Sequence, residues 1–150
     1  MFRSILAGVI GYLAMALAIM VLFTAAFLAL GADRAFQPGT FDTAPIWLAV
    51  WGIGSIAASL LGGFICAKLA APSSKAPVGL AVAVVILGLV TAFANASRPD
   101  PGPRDANLST LEAGAKATQP AWTVWAQPAI GALGVLAGAR LGRKTVPARA

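Results

Sequence analysis

The chain has 150 residues, of which 59% are hydrophobic and 11% are charged, and its mean hydropathy is +0.82. Because a soluble domain typically carries about 25% charged residues, this composition excludes an ordinary water-soluble globular protein. The net charge of +6 does not indicate a nucleic-acid partner, since the basic residues are dispersed beside apolar segments, as is typical of membrane proteins.

Four stretches of 22 to 29 residues contain no charged residue, and every acidic residue lies outside them. About 20 apolar residues in a helix cross the ~30 Å hydrocarbon core of a bilayer. The pattern therefore predicts an all-α protein with a single membrane domain at 1–150, an up-down-up-down bundle of four transmembrane helices. The expected spans are about 4–31, 44–71, 76–96 and 121–142, with an outer loop at 97–120.

The first span follows Arg3 and resembles the start of a signal peptide. Its apolar run is about 28 residues long, however, roughly twice the 7–15 residues of a signal-peptide core. We therefore expect an uncleaved first helix.

The second span carries two adjacent rows of small residues at four-residue spacing. The rows are Gly54, Ala58, Gly62, Cys66 and Ala70, and Ser55, Ser59, Gly63, Ala67 and Ala71. Residues four apart share one helix face, and helices in membranes associate through close packing of such residues. We expect this face to hold the bundle together, and a homodimer through it is the alternative. Leucine at Gly62 or Gly63 should disrupt packing far more than leucine at Ala14 or Ala81.

The fourth span has a similar row, Gly134, Gly138 and Gly142, and it contains the pair Gln127-Pro128. Proline removes one backbone hydrogen bond of the helix, so a kink is expected there. Gln127 then either satisfies the freed backbone group or contacts another span, a substrate or an ion.

A weak internal repeat relates the second span to the fourth. At an offset of 72 residues, Leu61-Gly62 aligns with Leu133-Gly134, and Ala67-Lys68-Leu69 aligns with Ala139-Arg140-Leu141. Many transporters are built from duplicated units. Two similar hairpins are therefore an alternative that the sequence leaves open.

Four polar residues inside the spans are candidates for lining a pore or contacting a ligand: Ser55, Ser59, Thr91 and Gln127. Serine and threonine hydroxyls commonly bond to carbonyls of their own helix, which is the alternative role of the first three. No charged residue lies in the central part of a span. Proton-coupled transporters usually need such a residue near the bilayer centre, so we do not expect that class.

The residue inventory also argues against an enzyme. The chain has one cysteine, Cys66, and no histidine, which removes Cys/His zinc sites, Cys–His nucleophile pairs and a histidine general base. The acidic residues Asp100, Asp105 and Glu112 of the outer loop have no partner motif. We therefore expect no catalytic residue, no metal ion and no cofactor.

The basic residues predict the orientation of the chain. Seven of them border one side of the membrane without any acid: Arg3, Lys68, Lys75, Arg140, Arg143, Lys144 and Arg149. The other side holds four basic residues and all five acids. The positive-inside rule then places both termini in the cytoplasm. Arg140, Arg143, Lys144 and Arg149 are expected to contact anionic lipids.

Four tryptophans begin the second and fourth spans: Trp47, Trp51, Trp122 and Trp125. An indole favours the membrane interface because its ring is apolar and its N–H needs a polar partner. We expect interfacial anchors on the outer side, and a binding crevice roofed by these rings is the alternative.

The segments RSILAGVIGYLAMALAIM and LLGGFICAKLA, the latter followed by a proline-containing turn, resemble those of numerous uncharacterised small bacterial membrane proteins. In these proteins an Arg-led first span precedes a Gly-Gly-rich second span that ends in a basic residue. The resemblance implies a four-helix fold in a bacterial plasma membrane. It implies no activity and no site residues.

Two functions fit these features. The leading hypothesis is a non-catalytic membrane protein that acts through association, with itself or within a larger membrane complex, because the second span has a small-residue face. The alternative is a small passive channel or carrier for ions or apolar small molecules, lined by the four polar residues.

Overall fold

The structure is a computed structural model that describes residues 2–70, 75–96, 101–104, 112, 114 and 116–144. Over these residues the chain is all-helical and contains no β-strand, which confirms the predicted all-α class. The helices are α1 (Phe2–Leu30), α2 (Ala32–Ala35), α3 (Pro45–Ala70), α4 (Lys75–Ala96) and α5 (Ala121–Lys144). All except α2 are long and apolar enough to cross a membrane.

Glycine and proline mark the boundaries of the helices. Gly31 ends α1 with a φ of 73°, a left-handed conformation that glycine adopts without strain. Pro45 is the first residue of α3, where its missing N–H has no helical partner to lose. Pro77 lies in the first turn of α4 for the same reason.

The central helix of the bundle is α3, which packs against α1 on one side and α5 on the other. Residues early in α1 meet residues late in α3, since Gly11 lies against Gly62. Residues late in α1 meet residues early in α3, since Phe23 lies against Gly54. The two helices therefore run antiparallel.

The contact between α3 and α5 is parallel. Trp51 and Trp122, near the starts of the two helices, pack edge to face with 6.3 Å between ring centroids. Phe64 and Gly142 meet near the ends of the same helices. Large side chains thus close one end of this contact, and glycine allows close backbone approach at the other.

The helix α4 packs antiparallel on α5. Gly88 lies against Pro128, and Val84 lies against Gly131 one turn further along. The starts of α1 and α4 and the ends of α3 and α5 therefore lie together. We call this the basic end of the bundle, and the opposite end, with α2, is the loop end.

The two antiparallel pairs, α1 with α3 and α4 with α5, are arranged alike around the α3–α5 contact. At the offset of 72 residues, Gly63 aligns with Val135, and these two residues contact each other. Equivalent positions meet in this way across an approximate twofold axis. Duplication of a hairpin nevertheless stays a prediction.

The loop end is folded rather than open. The Thr43 N–H donates to the Thr118 carbonyl at 3.0 Å, and the Thr118 N–H donates to the Phe41 carbonyl at 2.9 Å. Arg104 forms an ion pair with Asp33 at 3.2 Å. These bonds tie the segment between α1 and α3 to the segment between α4 and α5.

An aromatic cluster lies beneath these segments, formed by Phe23, Phe27, Phe36, Phe41 and Trp47. The Phe27 ring packs edge to face against Phe36 and Trp47, with centroid distances of 5.7 and 5.4 Å. This geometry places the positive ring edges against the negative ring faces. The cluster fixes the loop end of α1 against the start of α3.

Candidate functional site

One predicted row of small residues on α3 faces α1. A Cβ built on Gly62 would lie 2.8 Å from the Gly11 carbonyl oxygen, and one built on Gly54 would lie 2.5 Å from a Phe23 ring carbon. Ala58, in the same row, is buried. The row therefore lets α1 approach more closely than larger side chains would permit.

The neighbouring row faces α5. A Cβ built on Gly63 would overlap the Val135 carbonyl oxygen and lie 2.7 Å from the Val135 carbonyl carbon. In return, Gly134 lies against the Ser59 hydroxyl and Gly138 lies against the α3 backbone. Both rows are covered within one chain, so this face of α3 is not presented to a second copy.

A cavity of about 170 Å³ inside the bundle brings together the four predicted polar residues. Ser55 and Ser59 come from α3, Thr91 comes from α4 and Gln127 comes from α5. We call this space the inner cavity. The sequence marks these residues one by one, whereas the fold places them around a common space.

Apolar side chains complete the wall of the inner cavity, among them Met15 of α1 and Val84 of α4. The exposed lining residues Tyr12, Leu87 and Thr91 belong to α1 and α4, so the cavity opens sideways between these helices. Sequence reasoning missed Tyr12, Met15 and Val84. The only signal was the phenol of Tyr12 in an apolar span, since an aliphatic residue there does not reveal which helix it faces.

Two of the four polar side chains have no hydrogen-bond partner. The Ser55 hydroxyl, in a residue only 3% exposed, and the side-chain oxygen of Gln127 are both buried and unpaired. The other two hydroxyls bond to their own helices. Ser59 donates to the Ser55 carbonyl, and Thr91 donates to the Gly88 carbonyl, each at 2.8 Å. The predicted back-bonding therefore occurs at Ser59 and Thr91 and not at Ser55.

Pro128 lies beside Gln127 inside α5. A Cβ built on Gly88 of α4 would lie 2.8 Å from the Pro128 ring carbon Cγ, so glycine makes room for the proline. The Val124 carbonyl has no helical donor, because proline lacks the N–H that would bond to it. The turn of α5 that proline interrupts is the one that carries Gln127.

A larger cavity of about 750 Å³ lies at the loop end, and Asp42 is one of its lining residues. Asn95 of α4 and Val124 of α5 also line it. Asn95 follows Thr91 by one helical turn, and Val124 precedes Pro128 by one turn. At 1.5 Å per residue, the two cavities are about 6 Å apart along these helices.

The four tryptophans divide into a buried pair and an exposed pair. Trp47 and Trp51 are 9% and 6% exposed, and Trp47 packs against Phe27 in the aromatic cluster. Trp122 and Trp125 are 60% and 46% exposed. Interfacial anchoring requires contact with lipid headgroups, so it stays a prediction for the exposed pair only. Trp47 and Trp51 instead pack against protein, which corrects the role expected for them.

The predicted lipid-contacting residues lie at the basic end. Arg140 and Arg143 are exposed on the last turn and a half of α5. The side chain of Lys144 and the whole of Arg149 lie outside the described residues. Lys68 of α3 is at the same end, with its ammonium 4.8 Å from the centre of the Phe64 ring.

The inner cavity has no charged side chain in its lining. Among the described residues, no group of three or more His, Cys, Asp or Glu residues is placed to hold a metal ion. Cys66 is buried against Gly11, away from this lining. The arrangement can therefore bind a molecule by hydrogen bonds and apolar contact, without a nucleophile paired to a base.

No protein family matches this chain, and no curated protein or solved structure is significantly similar to it. Its function is therefore inferred from the inner cavity.

Proposed function

We propose that this chain is a multi-pass membrane protein that binds a small neutral molecule in the inner cavity and acts as a carrier or passive conduit for it. The observation that carries the proposal is the convergence of polar residues from three helices, with Ser55 and Gln127 left without protein partners. Buried polar groups are nearly always hydrogen-bonded, and an unpaired one in hydrocarbon is costly. Two such groups facing one cavity favour a bound ligand.

The uncharged lining favours a neutral ligand over an ion. A charged ligand in a low-dielectric site needs a counter-charge or a ring of ligating oxygens, and the described lining offers two unpaired groups only. Of the ions and apolar molecules that the sequence left open, we retain the second class. We propose binding rather than catalysis, because no lining residue pairs a nucleophile with a base.

Action through association is the leading hypothesis from sequence, and it rests on the small-residue face of α3. That face is covered by α1 and α5. Association with a membrane partner through another surface stays a prediction, as does the expectation that the chain is not an enzyme.

We further propose that α1, α3, α4 and α5 cross a plasma membrane in up-down-up-down order, with both termini in the cytoplasm. The antiparallel contacts gather Arg3, Lys68, Lys75 and Arg140 at the basic end, which supports the positive-inside assignment. The bacterial location rests on the resemblance of the first two spans.

The orientation predicts the behaviour of reporter fusions. Alkaline phosphatase fused to the C-terminus should be inactive, because the enzyme matures only outside the cytoplasm, and phosphatase inserted within residues 97–120 should be active. A green fluorescent protein fusion at each site should show the reverse pattern. An active phosphatase at the C-terminus would overturn the topology.

The binding function predicts that filling the mouth of the inner cavity removes ligand affinity. The probes are neutral molecules of about benzene size, which a cavity of about 150 Å³ binds, and binding is read as a rise in the thermal unfolding temperature. Thr91→Phe should abolish the rise, because Thr91 lines the mouth. Val90→Phe, on the exposed side of the same helix, should leave it unchanged. If no probe binds the wild type, or both variants respond alike, the proposal fails.

The basic end predicts selective retention of anionic lipid. Each basic residue near the surface contributes about 1 kcal/mol of attraction to negative headgroups. Changing Arg143, Lys144 and Arg149 to glutamine should lower the retention of phosphatidylglycerol and cardiolipin in native mass spectrometry, with phosphatidylethanolamine nearly unchanged. Equal retention of all three lipids before and after the change would show that these charges only orient the chain.

A further inference from the structure

We infer that the ligand of the inner cavity is a hydroxyl compound with a single-ring-sized apolar frame, close to phenol in size and polarity. This inference rests on the proposed binding function and adds the chemical class of the ligand. Three properties of the cavity carry it: its volume, the chemistry of its two unpaired polar groups, and the side on which it opens.

The volume sets the size of the ligand. An apolar cavity of about 150 Å³ in another protein accommodates benzene, and the inner cavity measures about 170 Å³. Met15, Val84 and Leu87 supply apolar walls around it. One ring with one small substituent fits this space, whereas a lipid headgroup or a sugar does not.

The unpaired groups set the polar part of the ligand. The Gln127 side-chain oxygen only accepts hydrogen bonds, and the Ser55 hydroxyl both donates and accepts. A ligand hydroxyl can donate to Gln127 and accept from Ser55, whereas an ether or ketone has no donor for Gln127. Ser59 and Thr91 do not compete, because their hydroxyls are already bonded to helix carbonyls.

The opening favours a ligand that dissolves in lipid. The exposed lining residues Tyr12, Leu87 and Thr91 place the mouth between α1 and α4. Towards the basic end these helices close the path, since Gly11 packs closely against Gly62 and Leu80. In the proposed topology the mouth therefore faces the bilayer, where an apolar ring with one hydroxyl is soluble and an ion is not.

The test compares 4-fluorophenol with fluorobenzene, which share the ring and differ in the hydroxyl. Titration of the full chain in lipid nanodiscs, followed by fluorine NMR, gives the ratio of the two affinities, and this ratio cancels effects common to both probes. Ser55→Ala and Gln127→Met should each lower the phenol preference about tenfold. Ser59→Ala is the matched control, since Ser59 lines the same cavity with its hydroxyl bonded to its own helix, and it should keep the preference.

The outcomes separate this inference from the function on which it rests. If both probes bind the wild type and all three serine and glutamine variants keep the same ratio, hydroxyl recognition is wrong and binding in the cavity stands. Tight binding of 4-fluorobenzoate would overturn the neutral class. If neither probe binds, the phenol-like class is wrong, and the binding function itself fails only when the wider panel of neutral molecules also fails.

Discussion

Leucine in place of Gly63 should lower the free energy of unfolding by about 3 kcal/mol, the upper part of the range for overpacking a core. The first atom added at Gly63 already meets the backbone of Val135. A backbone carbonyl cannot rotate away as a flexible side chain does, so α3 and α5 would have to separate. Thermal unfolding in a mild detergent measures the loss.

Gly8 and Gly79 provide matched controls for this substitution, because a Cβ built on either meets nothing within 4 Å. Leucine at these positions should leave the unfolding temperature nearly unchanged. Ala81, which the sequence marks as a tolerant position, is 6% exposed and packs in the core, so it does not serve as a control. If Gly63→Leu is tolerated as well as Gly8→Leu, α3 and α5 do not meet as described.

Truncating Phe27 to alanine should cost about 3–5 kcal/mol, the usual loss for a buried phenylalanine. Phe27 is 8% exposed and forms the centre of the aromatic cluster, with edge contacts to Phe36 and Trp47. Its removal leaves a space that α1, α3 and the segment carrying Phe36 line together, and these elements are too constrained to collapse into it. Chemical denaturation followed by tryptophan fluorescence reports the change, since Trp47 lies in the same cluster.

The control for this prediction is Phe2→Ala, on the same helix. Phe2 is 80% exposed, so its truncation should change the unfolding free energy by less than about 0.5 kcal/mol. Similar losses for Phe27 and Phe2 would contradict the packing of the loop end.

The helices themselves were accessible from sequence because length and charge determine them. A run of more than 20 residues without a charge has few alternatives to a spanning helix, and the described helices agree closely with the predicted spans. The small rows of α3 were also visible, since four-residue spacing puts Gly54, Ala58 and Gly62 on one face. That α3 would use adjacent faces for two different helices was not visible.

The candidate site was only half accessible, because a sequence lists polar residues without their neighbours. Ser55, Thr91 and Gln127 are each ambiguous alone, since a serine or threonine usually bonds to its own helix. Only the contacts of α4 with α5 and of α3 with α5 bring them to one cavity. The burial of Trp47 was hidden for a related reason: the rings that cover it, Phe27 and Phe36, lie on either side of a connection whose folding the sequence pattern does not reveal.

The central position of α3 has a consequence for the order of assembly during synthesis. α1 can pair with α3 as soon as the ribosome has released the first 70 residues, but the second face of α3 receives α5, the last helix to be made. Until residues 121–144 have been inserted, a smooth surface containing Ser59 and Gly63 faces lipid or any neighbouring protein. Nascent chains are therefore most open to mispairing with one another in this interval, and a chain truncated before Ala121 keeps that exposure permanently. Completion of the C-terminal helix sets the moment at which quality control can recognise the protein as finished.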